Sequence, residues 1–188
     1  AGASNYLWNT GETTQTIYAD TAGTYSVTVG NGTAVINSNS LSFDGVDDRV
    51  IISSNNLPVG NSARSVSAWF YPESGFGNIL AYGDGSQTNK RFSFLMNSGD
   101  VRFVGESNDH FGHAVSLNQW HFITVTYANN KLKMYVDGAI ADSVLLGTNL
   151  DTDNSYPLVI GSNTTTRNDE YFGGKVSQVS VWDRVLTA

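Results

Sequence analysis

The amino-acid sequence predicts an all-β fold in which two antiparallel sheets pack as a sandwich or jelly roll. The first observation is a series of about ten short β-favouring runs, each ended by Gly, Asn, Asp or Pro. The second is that 40% of the residues are hydrophobic and 12% aromatic, against 14% charged, which supplies a core without the charge density of a disordered chain. Many short strands at this spacing favour an antiparallel sandwich over a parallel α/β sheet.

The β-favouring runs become regular after residue 40. Between them, the stretch from Gly30 to Ser40 reads as a loop and is a soft boundary, so we divide the chain into a short β-rich segment, 1–30, and a main domain, 31–188. The runs of the main domain are LSF, RVIIS, SVSAWFYP, GNILAYG, RFSFLM, DVRFVG, QWHFITVTY, KLKMYVDG, PLVIG and GKVSQVSVW.

The phase of two runs indicates how they pack. In the run that begins at Lys131, we expect Leu132, Met134 and Val136 to face the core, opposite Lys131, Lys133 and Tyr135. In the run from Ser65 to Tyr71 both faces carry large groups, which predicts a central strand. Its two faces are Val66, Ala68 and Phe70 on one side, and Ser67, Trp69 and Tyr71 on the other.

Length and charge exclude several classes of protein. A chain of 188 residues has the size of one large domain or of one domain with a short attachment, rather than of a multi-domain enzyme. A net charge of −7 repels phosphate backbones and anionic lipids, so we expect neither nucleic acid nor membrane as a partner. The absence of cysteine excludes disulfides and thiolate chemistry. The chain begins Ala-Gly-Ala-Ser and lacks a signal sequence, and we interpret it as a processed or excised fragment.

Five motifs in order, LSFDGVDDRV, SVSAWFYP, QWHFITVTY, LKMYVDG and FGGKVSQVSVWDRVLT, carry a resemblance to a known family. From Leu41 onward the chain resembles laminin-G-like, concanavalin A-like jelly-roll domains of the bacterial carbohydrate-binding and adhesin type. The turn dipeptides Asp44-Gly45 and Asp137-Gly138 lie between apolar runs, and we expect Trp69 and Trp120 to fill the core between the two sheets.

The first thirty residues carry a second resemblance. YLWNTGETTQTI followed by GTYSVTV is similar to the second half of immunoglobulin-like repeats in secreted, multi-modular bacterial proteins. This resemblance implies an extracellular protein. The alternative is that these residues form the first strands of the jelly roll, and the sequence leaves both open.

Catalytic constellations are poorly represented. Hydrolysis of a glycosidic bond needs two carboxyl groups at a controlled separation. The glutamates Glu12, Glu73, Glu106 and Glu170 are isolated, and we expect them in solvated turns and loops. Gln119-Trp120-His121 resembles a lyase motif only superficially, and no Gly-x-Ser-x-Gly elbow is present. We therefore expect a protein that is not an enzyme, and keep a small lyase or hydrolase as a less favoured alternative.

Oxygen-rich turns make calcium the most plausible metal. Asp44, Asp47 and Asp48 crowd one turn, where a cation would relieve their repulsion. The resemblance implies a structural calcium held there, for which we name Asp44 and Asp48. The family's carboxylates in the last strand are replaced here by Ser177-Gln178, which leaves backbone carbonyls to complete the shell.

Three polar loops with aromatic residues are the predicted ligand site, because binding residues concentrate on loops over a rigid scaffold. They are 82–91, 106–113 and 163–171. The segment SNDHFGHAVS, which overlaps the second, reads as a loop because glycine separates its histidines. The candidate ligand-binding residues are Tyr82, Asp84, Asn89, Arg91, Asn108, His110, Phe111, His113, Arg167 and Tyr171.

Together these features predict a non-catalytic carbohydrate-binding module of a secreted bacterial polysaccharide-degrading enzyme, which binds polysaccharide through its loops and concave sheet. The alternative is an adhesive or structural module that binds a protein or cell surface. We expect a monomer that is covalently linked to catalytic or adhesin domains in the full-length protein. Arg91, Arg102 and Arg167 would suit sulfate or uronate groups, but the sequence does not choose between acidic and neutral glycans.

Overall fold

The computed structural model describes residues 6–8, 27–29, 40–53, 56–164 and 170–187, with the side chains of 6–8, 27–29 and Phe111 left out. The chain divides into two compact units, 1–39 and 40–188. In the first, β1 (Tyr6–Trp8) pairs antiparallel with β2 (Val27–Val29). The immunoglobulin-like interpretation concerns residues that lie mostly outside the described ranges and stays a prediction.

The second unit is a sandwich of two antiparallel six-stranded sheets, which confirms the predicted fold class. The first sheet has the order β12-β11-β10-β5-β14-β3, and the second has the order β4-β13-β6-β7-β8-β9. The strands are β3 (Leu41–Asp44), β4 (Val50–Ile52), β5 (Arg64–Pro72), β6 (Phe76–Gly83), β7 (Arg91–Asn97), β8 (Asp100–Val104), β9 (His110–Ala114), β10 (His121–Ala128), β11 (Lys131–Val136), β12 (Ala139–Leu145), β13 (Leu158–Ile160) and β14 (Gly173–Trp182).

All ten predicted runs are strands, and two further strands, β9 and β12, were not predicted. The interpretation of SNDHFGHAVS as a loop was wrong, because His110–Ala114 pairs antiparallel with β8. Gly112 does not interrupt this strand; it permits it, because a Cβ atom there would lie only 1.2 Å from the carbonyl oxygen of Val101.

The predicted phases are confirmed where the sheets face each other. Leu132, Met134 and Val136 are buried, and β5 lies between β10 and β14, as a central strand should. Tight turns at Asn129-Asn130 and Asp137-Gly138, both with positive φ, join β10, β11 and β12.

The expectation that Trp69 and Trp120 fill the core was wrong. Trp69 is 38% exposed and Trp120 42% exposed. Because alternate residues of a strand point to opposite sides, burial of Val66, Ala68 and Phe70 turns Trp69 away from the second sheet. Buried phenylalanines from both sheets and their connections fill the core instead: Phe43, Phe70, Phe92, Phe94, Phe103 and Phe172.

Arg64, at the start of β5, is fully buried at the join between the two sheets. Its Nη1 donates to the carbonyl oxygen of Pro58 at 3.0 Å and to the hydroxyl of Tyr82 at 3.1 Å. Its Nη2 donates to the carbonyl oxygen of Gly60 at 2.7 Å, and Nε donates to that of Ser62 at 3.0 Å. The guanidinium lies 5.6 Å from the ring centres of both Phe92 and Tyr127. One side chain thus connects β5, β6, β7, β10 and the loop before β5.

The side chain of His121 stabilises the turn between β11 and β12. Its Nδ1 lies 2.7 Å from Asp137 Oδ2 and its Nε2 lies 3.0 Å from the carbonyl oxygen of Ser116. Asp137 Oδ1 also accepts from the backbone N–H of Phe122 at 2.8 Å. Both ring nitrogens thus lie within hydrogen-bond distance of an acceptor, and the ring connects this turn to the segment before β10.

Replacing Arg64 by Met should lower the free energy of unfolding by about 3 to 5 kcal/mol, because several buried acceptors lose their donor. Urea unfolding followed by tryptophan fluorescence measures this loss. Arg64→Lys is the matched control, which keeps the charge but cannot serve all these acceptors, and it should be intermediate. A loss below about 1 kcal/mol for Arg64→Met would contradict the role given to this residue.

The contribution of Asp137 to stability should depend on pH. Burial raises the pKa of Asp137, but hydrogen bonds from His121 and from the Phe122 N–H, with the charges of His121 and His113, outweigh it and hold this pKa below its usual value. A lowered pKa stabilises the fold above the unfolded-state value of about 4, and this contribution is lost as the pH falls through the folded pKa. The stability difference between wild type and Asp137→Asn should therefore shrink from about pH 5.5 to about pH 2, and a difference that grows on acidification would contradict the prediction.

Candidate functional site

Two of the loops predicted to bind ligand lie together, and the third is joined to them at its start. The Asn89 N–H donates to the Glu106 carbonyl oxygen at 2.7 Å, and Asn108 Nδ2 donates to Asn89 Oδ1 at 2.6 Å. Asn108 Nδ2 also donates to Thr148 Oγ1 at 2.9 Å, which adds the connection between β12 and β13. The third loop enters through Asn163, whose Oδ1 accepts from Arg91 Nη1 at 2.6 Å.

Many of the polar residues that join these three loops are buried and stabilise the fold. Arg91 is 3% exposed, and its Nε lies 3.1 Å from Glu106 Oε2. Glu170 Oε2 accepts from Asn78 Nδ2 at 2.6 Å and from Asn163 Nδ2 at 3.0 Å. The expectation that Glu106 and Glu170 are solvated was therefore wrong, because each carboxylate is held by donors between the second sheet and its loops.

Asp84 closes its own loop. Its carboxylate accepts from the N–H and the hydroxyl of Ser86 at 2.8 and 2.6 Å, and from Gln87 Nε2 at 2.7 Å. Burial raises the pKa of Asp84, but these hydrogen bonds and the charge of Lys90 outweigh it, so this pKa is lowered and the carboxylate stays ionised. The side chain is 4% exposed, and it shapes the turn rather than presenting itself to solvent.

Tyr82 offers no surface to a ligand. The ring is fully buried and stacks on Phe92 with ring centres 5.5 Å apart, while its hydroxyl accepts from Arg64. Burial raises the pKa of Tyr82. We therefore remove Tyr82 from the candidate ligand residues and assign it to the core.

Four of the predicted residues reach solvent, at different places around the second sheet. Asn89, His110 and Tyr171 are half-buried and His113 is exposed. His110 Nδ1 lies 3.8 Å from Asp142 Oδ2, across the edges of the two sheets. Arg167 and the Phe111 side chain lie outside the part of the chain that the structure describes.

The acidic turn after β3 brings three carboxylates together. Ligand atoms of Asp44, Asp47 and Asp48 all lie within 4.8 Å of one another, and all three side chains are exposed. Asp44 Oδ1 accepts from the Val46 N–H at 2.8 Å, and Asp48 Oδ2 accepts from the Asp44 N–H at 3.1 Å. Asp44 pairs with Gly173 of β14. Ser177 is four residues further along that strand, so its Cα atom lies about 13 Å from that of Gly173.

A surface that the sequence analysis did not assign to binding lies on the outer side of the first sheet. We call it the aromatic face and define it by Trp69, Tyr71, Trp120 and Phe122. Trp69 and Phe122 are paired across β5 and β10, with ring centres 5.1 Å apart, and the Tyr71 and Trp120 ring centres are 5.6 Å apart. Because Trp69 and Tyr71 are alternate residues of one strand, the two ring pairs lie about 7 Å apart along it.

A groove of about 210 Å³ extends the aromatic face. Phe122, Thr124, Thr126 and Tyr135 form its floor, and its walls are Gly138, Leu186 and Thr187. The segment after β14 is fixed there because Ser65 Oγ donates to the Arg184 carbonyl oxygen at 2.8 Å and accepts from the Leu186 N–H at 2.9 Å. The signal for this face was present in the sequence, since the alternation that buries Val66, Ala68 and Phe70 also turns Trp69 and Tyr71 outward.

The comparisons with known proteins identify the family. Residues 43–188 match the model of the laminin-G type in the concanavalin A-like lectin/glucanases superfamily. A rat protein with sushi, von Willebrand factor type A, EGF and pentraxin domains is 28% identical over 127 residues, which are 60% of this chain and 3% of that protein. The chain therefore spans a small part of this relative's length.

Solved structures share the fold at low identity. Domains LG4-5 of mouse laminin α1 align at a TM-score of 0.65 and 15% identity, over 78% of this chain and 42% of that chain. Domain 4 of AbnA, an extracellular arabinanase from Geobacillus stearothermophilus, was solved with arabinotriose. It aligns at a TM-score of 0.54 and 19% identity, over 79% of this chain and 77% of that chain. A sialidase from Trypanosoma rangeli aligns at 0.57 and 16%, over 79% of this chain and 26% of that chain. Within the described residues there is no helix that could span a membrane. The family match over residues 43–188 shows that the chain belongs to the concanavalin A-like lectin/glucanases superfamily.

Proposed function

We propose that this chain is a non-catalytic carbohydrate-binding module that binds a polysaccharide through the aromatic face. The observation that carries the proposal is a row of four aromatic rings on one rigid sheet surface, with Trp69 and Trp120 well exposed. Exposed tryptophan and tyrosine rings offer an apolar face and a polar edge, which suits a sugar ring with C–H and hydroxyl groups. The groove beside Phe122 adds the hydroxyl of Thr124.

Relatives of this chain support the proposal. Members of its superfamily include lectins and glucanases, and domain 4 of the arabinanase AbnA has been solved with a bound sugar. The chain spans only part of the laminin, sialidase and rat proteins that it resembles. We infer that it too is joined to further catalytic or adhesin domains, as a module that raises their effective concentration on a polysaccharide.

The carboxylates support a non-catalytic role. Glu106 pairs with Arg91 at 3.1 Å, and Glu170 accepts from two amides. A carboxyl group held in this way by donors is poorly suited to give or take a proton at a glycosidic bond. We further propose a secreted bacterial protein, since laminin-G and pentraxin-like domains are commonly extracellular.

Binding to polysaccharide should depend on the exposed rings. Trp69→Ala and Trp120→Ala should each weaken binding about three- to tenfold, with little change in melting temperature, because the rings are partly outside the core. Affinity electrophoresis against a panel of neutral, uronate and sulfated polysaccharides measures the effect. Phe76→Ala is the matched control, since Phe76 is a 52% exposed aromatic residue of the second sheet.

Two results would contradict this assignment. Loss of binding in His110→Ala or His113→Ala, with both tryptophan variants unaffected, would move the site to β9, at the edge of the second sheet. Retention of no polysaccharide by the folded wild-type protein would favour the alternative, an adhesive module that binds a protein.

We also propose that the acidic turn binds calcium. A donor set of three carboxylates suits a hard cation, and Asp44, Asp47 and Asp48 would hold it, which would neutralise the turn and stiffen the connection between β3 and β4. Calcium at about 1 mM should raise the melting temperature of the wild type relative to a chelator, by linkage. The double variant Asp44→Asn/Asp48→Asn keeps amide oxygens for the turn and should lose this response. An equal response in both proteins would place calcium elsewhere.

A further inference from the structure

We propose that the aromatic face selects a polysaccharide that carries negative charge, as uronate or sulfate groups, through Lys131, Lys133 and Lys175. This inference rests on the proposed function and adds the class of ligand. On a protein with a net charge of −7, three of the four lysines project from the outer side of the first sheet. Cations distributed along one side of an acidic protein are the complement of an extended anionic ligand.

The strand phases place the lysines on this side. Lys131 and Lys133 alternate in β11 with the buried residues Leu132 and Met134, and Lys133 pairs across the sheet with Thr126, which lines the groove. Lys175 lies in β14 beside Tyr71, with Nζ 4.7 Å from the centre of that ring. The fourth lysine, Lys90, is in the loop after β6, where it pairs with Asp151.

The charges of these lysines are available to a ligand to different degrees. Within residues 40–53, 56–164 and 170–187, neither Lys131 nor Lys133 forms an ion pair with Asp or Glu. Lys175 is bound to Glu73 at 3.1 Å, but both side chains are exposed, so solvent weakens this pair. Asp137, at the other end of the groove, is already paired with His121.

The arginines that the sequence offered for anion recognition are engaged elsewhere. Arg91 is buried against Glu106 and Asn163. Arg102 lies 3.6 Å from Asp100, on the second sheet. Among the described candidates, the lysines are the cations that lie beside an exposed stacking surface.

The cations and the rings fit one extended ligand. In the register of the sheet, Lys175 lies opposite Tyr71, and Lys133 lies in the row of Ser65, through Thr126 of β10. These two rows are six residues apart along β5, and the two lysines are three strands apart across the sheet. Strand geometry puts their Cα atoms about 25 Å apart, a span of several sugar units, with Trp69, Phe122 and the groove between them. A glycan lying across the sheet would stack on the rings and direct its anionic groups to the ammonium groups at both ends.

The test compares polygalacturonate, dextran sulfate and neutral dextran as immobilised polymers, with the whole chain and its variants. We expect the uronate or the sulfate polymer to retain the wild type more strongly than dextran does, with retention falling as NaCl rises from about 0.05 M to about 0.5 M. Lys133→Gln/Lys175→Gln should weaken this binding about fivefold or more, while Lys90→Gln should leave it unchanged. Glu73→Gln removes the carboxylate that pairs with Lys175, so it should strengthen binding to the charged polymer about twofold. Whichever of the two charged polymers retains the wild type more strongly shows whether the anionic group is a uronate or a sulfate.

The outcomes separate this inference from the proposed function. Equal retention by dextran, insensitive to salt and to the lysine variants but lost in Trp69→Ala, would overturn the selection of anions and leave carbohydrate binding intact. Charged-polymer binding lost in Lys90→Gln rather than in the β11 and β14 variants would also overturn it. Retention on none of the polymers, by protein with native melting behaviour, would overturn the inference together with the proposed function.

Discussion

Arg64, a buried cation with no carboxylate partner among residues 40–53, 56–164 and 170–187, connects the two sheets. Arg64 distributes its charge over backbone carbonyls of the loop before β5, the hydroxyl of Tyr82 and two aromatic rings. Such an arrangement is favourable only where all acceptors are in place together, since an unpaired guanidinium in the core would be costly. The position and phase of β5 are set at this residue, and every later side chain of the strand follows from that phase.

The two outer surfaces of the sandwich have different characters. On the first sheet, the phase of β5 turns Trp69 and Tyr71 outward, between the neighbouring strands β10 and β14. On the second sheet, the outward polar groups of Asn78, Arg91 and Ser93 bind one another or residues of the loops, and all three residues are buried. Exposed aromatic rings therefore lie on the outer side of the first sheet, whereas many polar groups of the predicted loop site are used within the protein.

Sequence reasoning recovered the strands and their phases because both depend on local alternation and turn residues. It missed β9 and β12, because Gly112 and the polar residues of ADS reduce the local β signal, and pairing with β8 and β11 decides these strands instead. It placed Trp69 in the core from its size alone, although its own alternation rule pointed outward. In the sequence, Tyr82, Asp84 and Arg91 look like ligand residues of a loop. Only the tertiary structure reveals that Tyr82 and Arg91 belong to strands and that the polar atoms of all three are used within the protein.

The position of β14 has a consequence for how the chain acquires its structure. This strand is the last in sequence, yet it lies between β5 and β3 in the first sheet. The meander β6-β7-β8-β9 contains only neighbouring strands and can form early, whereas the first sheet stays divided until residues 173–182 arrive. During synthesis, the edges of β3 and β5 that pair with β14 therefore stay unpaired until the last strand is made. A nascent chain stalled before residue 173 would expose these edges, together with the outward rings of β5, and so promote aggregation.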